Sequence, residues 1–195
     1  MHISEGVLSG SVLASGGVLA IAGTVIGLKD LKGEDFVKVS LLSSSFFVAS
    51  LIHVPFGPSS AHLVLNGLTG IILGWKSFPA ILVSLFLQAI LFQFGGLTTL
   101  GINTCNMAIP AVISYYLFRP IIKKNYFLSG FLSGFFSILF SCVFVAISLI
   151  STNQYFLNIA KTILMVHLPV AFIEGVITGF ILTFLKKTKS EIIGG

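Results

Sequence analysis

FLSGFLSGFFSILFSCVFVAISLI, residues 127–150, holds no acidic or basic side chain along its whole length. About 20 apolar residues carry an α-helix across a bilayer core, so this stretch alone predicts a transmembrane helix. Composition extends the reading to the whole chain. Of 195 residues, 55% are hydrophobic and only 9% are charged, whereas a soluble domain carries about 25% charged residues. Twenty glycines and nineteen phenylalanines spread through the apolar runs fit a polytopic bundle, because glycine lets helix backbones approach closely.

Six more apolar segments flank the first, over residues 6–28, 36–56, 61–75, 79–94, 103–118 and 157–185. The expected fold is an all-α integral membrane protein of about seven transmembrane helices, a single domain over residues 1–195. Pro110 and Pro169 fall inside two of the helices and are expected to kink them. Lysine and arginine then orient the chain. Lys29, Lys32, Lys38, Lys76, Arg119, Lys123, Lys124, Lys186, Lys187 and Lys189, ten of the eleven basic residues, fall in alternate connections and the tail. The positive-inside rule places the N-terminus outside and the C-terminus in the cytoplasm. The net charge of +5 forms no basic stripe, so it reads as cytoplasmic anchoring and not as a nucleic-acid surface. Cys105 and Cys142 lack CxxC spacing and read as packing residues.

With that topology MHISE (1–5), GPSSAH (57–62) and GGLTTLGINT (95–104) share the outer face. His2, His62 and Asn103 therefore meet on one side of the membrane, where His53 also closes the second helix. Uncharged segments rich in Gly, Ser and Thr can dip into a membrane protein where protein or water satisfies their backbone. The N-terminus itself is a chelate in outline. The Met1 α-amine, with an ordinary pKa of about 7.7–8.0, the His2 amide and the His2 imidazole can close fused rings around one ion. A histidine nitrogen from elsewhere would complete a planar set, which suits Ni(II) or Cu(II). A solvated terminal histidine and a turn histidine at 62 are the plainer alternatives, and only their shared side of the membrane joins the two.

MHISEG (1–6), GPSSAHLVLNGLTGIILG (57–74), GGLTTLGINTCNMA (95–108) and HLPVAFIEGVITG (167–179) resemble the CbiM/NikM family. Its members are the substrate-binding membrane components of energy-coupling-factor transporters for cobalt and nickel. The resemblance covers nearly the whole chain and implies Met1, His2 and His62 as metal ligands, with Asn103 orienting them from behind. The family turn often reads SSSHP-TG where this chain has PSSAHLVLNG, and His53 stands as the alternative second histidine. The resemblance also implies a transported Co²⁺ or Ni²⁺ and no resident cofactor. Its implied partners are a transmembrane coupling subunit, cytoplasmic ATPase subunits and a small accessory membrane subunit, in a bacterial or archaeal cytoplasmic membrane.

Other polar residues carry less. His167 and Glu174 lie two turns apart in the last span, where helix pairing or a kink weighs above metal transit, and Gln88 reads as a core hydrogen-bonding residue. Gly10 with Ala14 and Gly16 with Ala20 give small-xxx-small spacing, for packing inside the bundle or for docking to a coupling subunit. No GxxxxGK[ST] motif is present, so ATP hydrolysis would fall to partners. Two other functions compete: a membrane metal sensor without transport, and an intramembrane hydrolase using Ser133 of GFLSG (130–134) with His167 as base. The latter lacks both GxSxG and HExxH.

Overall fold

The computed structural model describes the backbone of residues 2–29, 31–56 and 59–193, and the side chains of all of these except 53–56 and 59–61. Among the described residues the regular structure is helical apart from one short hairpin. Its elements are α1 (Gly10–Lys29), α2 (Gly33–Ala49), β1 (His53–Phe56), β2 (Ser59–His62), α3 (Asn66–Leu73), α4 (Ser77–Phe92), α5 (Leu100–Phe118), α6 (Tyr126–Thr152), α7 (Leu157–Thr188) and α8 (Ser190–Ile193). Four stretches among the described residues are long and apolar enough to cross a membrane: Gly10–Lys29, Asn66–Phe92, Tyr126–Thr152 and Gln154–Thr188. Their outward faces are apolar, with Val18, Ile21, Met165, Phe180 and Phe184 all more than half exposed. Such a surface suits hydrocarbon.

The second of those stretches turns back on itself. Asn66 donates to Ser141 Oγ at 2.8 Å and to the Met107 carbonyl at 3.4 Å, midway along α6 and α5. Five residues later α3 has reached the far end of α5, where the Arg119 guanidinium donates to the Ile71 carbonyl at 2.9 Å. Gly74, at φ +56°, breaks the helix there, a conformation that costs glycine little. A 3-10 turn over Gly74–Lys76 follows. Lys76 pairs with Asp35 at 2.6 Å at the start of α2, and Ser43 and Ser84 bond each other midway along α2 and α4. So α4 runs back to the end where the N-terminal segment lies. That leaves α3 as a half-length helix whose N-terminus starts inside the protein.

The core is close-packed through small residues. A Cβ on Gly130 would meet Gly179 Cα at 2.8 Å, and one on Gly134 would meet the Glu174 carbonyl at 2.5 Å, so α6 and α7 touch backbone to backbone. A column of serines on α6 faces inward: Ser133, Ser137 and Ser141 are fully buried. Gly16 packs on Ile102 of α5 and Ala20 is buried, which accounts for one small-xxx-small pair of α1, whereas a Cβ on Gly10 would point into open space. Gly70 presses on the Ala111 backbone, which cannot yield as a side-chain tip would. Gly70→Ala is expected to destabilise the protein by about 1–3 kcal/mol through overpacking, read as a lower thermal midpoint in detergent.

Three expected boundaries shift. The first helix begins at Gly10 and not at residue 6. The second ends at Ala49, so His53 opens β1 instead of closing a helix. Pro55 disfavours helix in the residue before it, and the backbone there pairs with β2, His53 opposite His62. The segment expected as a helix over 61–75 is helical only from Asn66. Pro110 and Pro169 lie within helices that continue through them.

Candidate metal centre

The N-terminal segment is held by side chains from the loop before α5 and from α5 itself. Asn103 Oδ1 accepts from the Ile3 N–H at 3.0 Å while its Nδ2 donates to the Ile3 carbonyl at 3.0 Å and to Thr99 Oγ1 at 3.2 Å. This two-point clasp imitates a strand pairing with one amide side chain. Ile3 is buried against Leu8, Ile102, Val145 and Leu149, which sets the depth of the segment. Two residues on, the Glu5 N–H donates to the Gly95 carbonyl at 3.2 Å, and the Thr98 N–H and hydroxyl donate to Glu5 Oε1 at 2.9 and 3.0 Å. Those bonds favour the ionised carboxylate and hold Glu5 below the usual carboxylate range. Gly95 and Gly96 take φ +79° and +135°, and a Cβ on Gly95 would meet Asn103 Nδ2 at 2.8 Å. The GG pair therefore lets the loop close over the clasp.

His2 sits just before this anchor. Its ring stacks on that of His62, centroids 4.9 Å apart with 29° between the planes, and Phe94 closes one side at 6.0 Å. Burial lowers the His2 pKa to about 3, so the ring is neutral at physiological pH and offers a lone pair. His62 Nδ1 lies 3.0 Å from the Leu63 carbonyl. A carbonyl only accepts, so Nδ1 carries the proton and Nε2 is the basic nitrogen. Both rings line a cavity of about 360 Å³ whose other walls include Val145 and Leu149 of α6 and Ile163 and His167 of α7. His62 reaches this place because the chain after β2 is seated on Glu174. That fully buried carboxyl group accepts from the Val64 and Leu65 N–H groups at the N-terminus of α3.

His2, His62 and Asn103 thus come together although they lie up to a hundred positions apart. Met1 lies outside the described residues, as does the His53 side chain. Among the described residues no group of three or more His, Cys, Asp or Glu side chains could hold a metal. His167, read from the sequence first as a helix-pairing or kink residue, lies on the cavity wall; its Nδ1 lies 2.8 Å from the Ile163 carbonyl one turn earlier. Ser133, the nucleophile of the hydrolase alternative, is fully buried and donates to the Gly67 carbonyl at 2.8 Å, so it packs and has no access to substrate.

A membrane bundle with two imidazoles stacked over one cavity suits the binding of a transition-metal ion. The chain belongs to the CbiM family, the cobalt uptake substrate-specific transmembrane region, which matches residues 2–192. A putative metal transport protein of Haemophilus influenzae is 40% identical over 99% of this chain and 97% of its own length. The cobalt transport protein CbiM of Thermosipho melanesiensis is 32% identical over 98% of this chain and 89% of its own. A putative fused nickel transport protein NikMN of Archaeoglobus fulgidus is 30% identical over 99% of this chain and 68% of its own. The crystal structure of a truncated transition metal transporter superposes with a TM-score of 0.85 at 28% identity, covering 96% of this chain and 99% of that one.

Proposed function

We propose that this chain is the substrate-binding subunit of an energy-coupling-factor importer that captures Ni²⁺ or Co²⁺. The ligands in this reading are the Met1 α-amine, the His2 amide nitrogen, the His2 imidazole and the His62 imidazole. The observation that carries it is the approach of the His2 and His62 rings to 4.9 Å from positions sixty apart in the chain. Two imidazoles do not complete a site, and no third metal-binding side chain joins them among the described residues. Main-chain and terminal nitrogens are the donors left at that position, and four nitrogens in a plane suit the late first-row divalent ions. Asn103, clasping Ile3 on both of its backbone groups, would hold the chelate in register.

In this reading about seven segments cross or enter the cytoplasmic membrane. His2 and the hairpin face outward; Lys29, Lys38, Lys76, Arg119 and the Lys186–Lys187 pair face the cytoplasm, as the positive-inside rule requires. A transmembrane coupling subunit and cytoplasmic ATPases then drive release of the ion inward, since the chain carries no nucleotide-binding motif. Metal uptake by cells is expected only when coupling subunit and ATPases are expressed with this chain. Accumulation with this chain alone would overturn the partner-driven mechanism, and binding without uptake in the complete set would favour the sensor reading. In the purified protein His62→Ala is expected to weaken Ni²⁺ binding and His53→Ala to leave it; the reverse would move the fourth ligand to His53.

A further inference from the structure

Gln88, on α4, is wholly buried, and neither its side-chain oxygen nor its nitrogen has a hydrogen-bond partner among the described residues. An amide left so costs about 1–3 kcal/mol per orphaned group, and within a membrane span there is no bulk water to relieve it. One further orphan lies in the same neighbourhood: His2 Nε2, buried and without a partner. The Gln88 side chain lies beside the His2 ring, with no hydrogen bond formed between the two. The end of α4 is locked at this place, the Phe94 N–H donating to the Gln88 carbonyl at 3.3 Å and the Phe94 ring packing on His2.

We propose that Gln88 is the positioning residue for His2: its Oε1 accepts the proton on Nε2 and so presents Nδ1 to the metal. The inference rests on the metal site proposed above. Ring closure is the reason that tautomer matters. From the amide nitrogen of His2 through Cα, Cβ and Cγ, Nδ1 closes a six-membered chelate, whereas Nε2 lies on the far edge of the imidazole and cannot bend back to the same ion. A neutral imidazole carries one proton, so fixing it on Nε2 leaves the lone pair on Nδ1. Metal at Nδ1 then makes the Nε2 proton a stronger donor, and the contact to Gln88 tightens as the ion binds. Outer partners of this kind orient a ligating histidine and raise its basicity.

The test uses the full chain purified in detergent, titrated with Ni²⁺ by calorimetry and followed by visible absorption. Nitrogen NMR of the His2 ring reports its tautomer in the metal-free protein. Gln88→Leu is expected to weaken Ni²⁺ binding about 10–100-fold, while the thermal midpoint of the metal-free protein stays level or rises, because an orphaned buried amide gives way to an apolar group of similar size. A residue that only supported packing would lower midpoint and affinity together. The wild-type ring should hold its proton on Nε2, and the variant should show a mixture. Wild-type affinity in Gln88→Leu, or an unchanged tautomer, overturns the role of Gln88. Wild-type affinity in His2→Ala would instead overturn the metal site itself, and the two failures are read from separate proteins.

Discussion

Replacing His2 by alanine is expected to lower Ni²⁺ and Co²⁺ affinity at least roughly 10³-fold, about 4 kcal/mol, without unfolding the bundle. The imidazole closes the six-membered ring of the proposed chelate, and without it the amine and amide nitrogens are left with His62 alone. The fold should survive because the anchor lies downstream: Ile3 is clasped by Asn103 and buried against α5 and α6. Calorimetry and circular dichroism on the same preparation separate the two effects. Tight binding by His2→Ala would show that His2 is no ligand.

Replacing Glu174 by leucine is expected to damage stability and metal binding together. The carboxyl group accepts from two successive backbone N–H groups, Val64 and Leu65, one of which belongs to a residue at φ +57°. That left-handed conformation is uncommon for a leucine, and the Glu174 oxygens are what hold it. With leucine at 174, two buried donors lose their acceptor at about 1–3 kcal/mol each, so unfolding stability should fall by roughly 2–6 kcal/mol. His62 lies two residues before Val64, and loosening this seat frees the ring from its stack on His2. Glu174→Gln keeps one side-chain oxygen as acceptor and should fall between wild type and leucine. A leucine variant with both melting point and Ni²⁺ affinity intact would show that the seat is unnecessary.

Much of the bundle was legible because bilayer physics leaves few solutions. Long uncharged runs such as 127–150 have no place to satisfy their backbone in lipid except a helix, and α6 covers that run from Tyr126 to Thr152. The segment from His53 to Trp75 was misread for the same reason. Its apolar residues look like those of a spanning helix, yet the first part pairs as a hairpin and only Asn66–Leu73 is helical. What allows this is a buried acceptor on a different helix, over a hundred positions away, and local composition carries no sign of it. Gln88 and His167 were visible as polar residues in apolar spans, but a span does not say which of its faces meets a cavity.

The sequence by itself determined that this is a helical membrane protein, which connections carry its charge, and that an imidazole lies next to the chain start. Those are properties of composition, periodicity and order, and each is read locally. Only the tertiary structure decided that His2 and His62 stack, that Asn103 clasps Ile3, and that Glu174 seats the half-length helix which aims His62. Those contacts join residues about 60 to 110 positions apart. Burial removes water as the alternative partner for each polar group, so the packed bundle, and not the neighbours in sequence, selects which donor meets which acceptor.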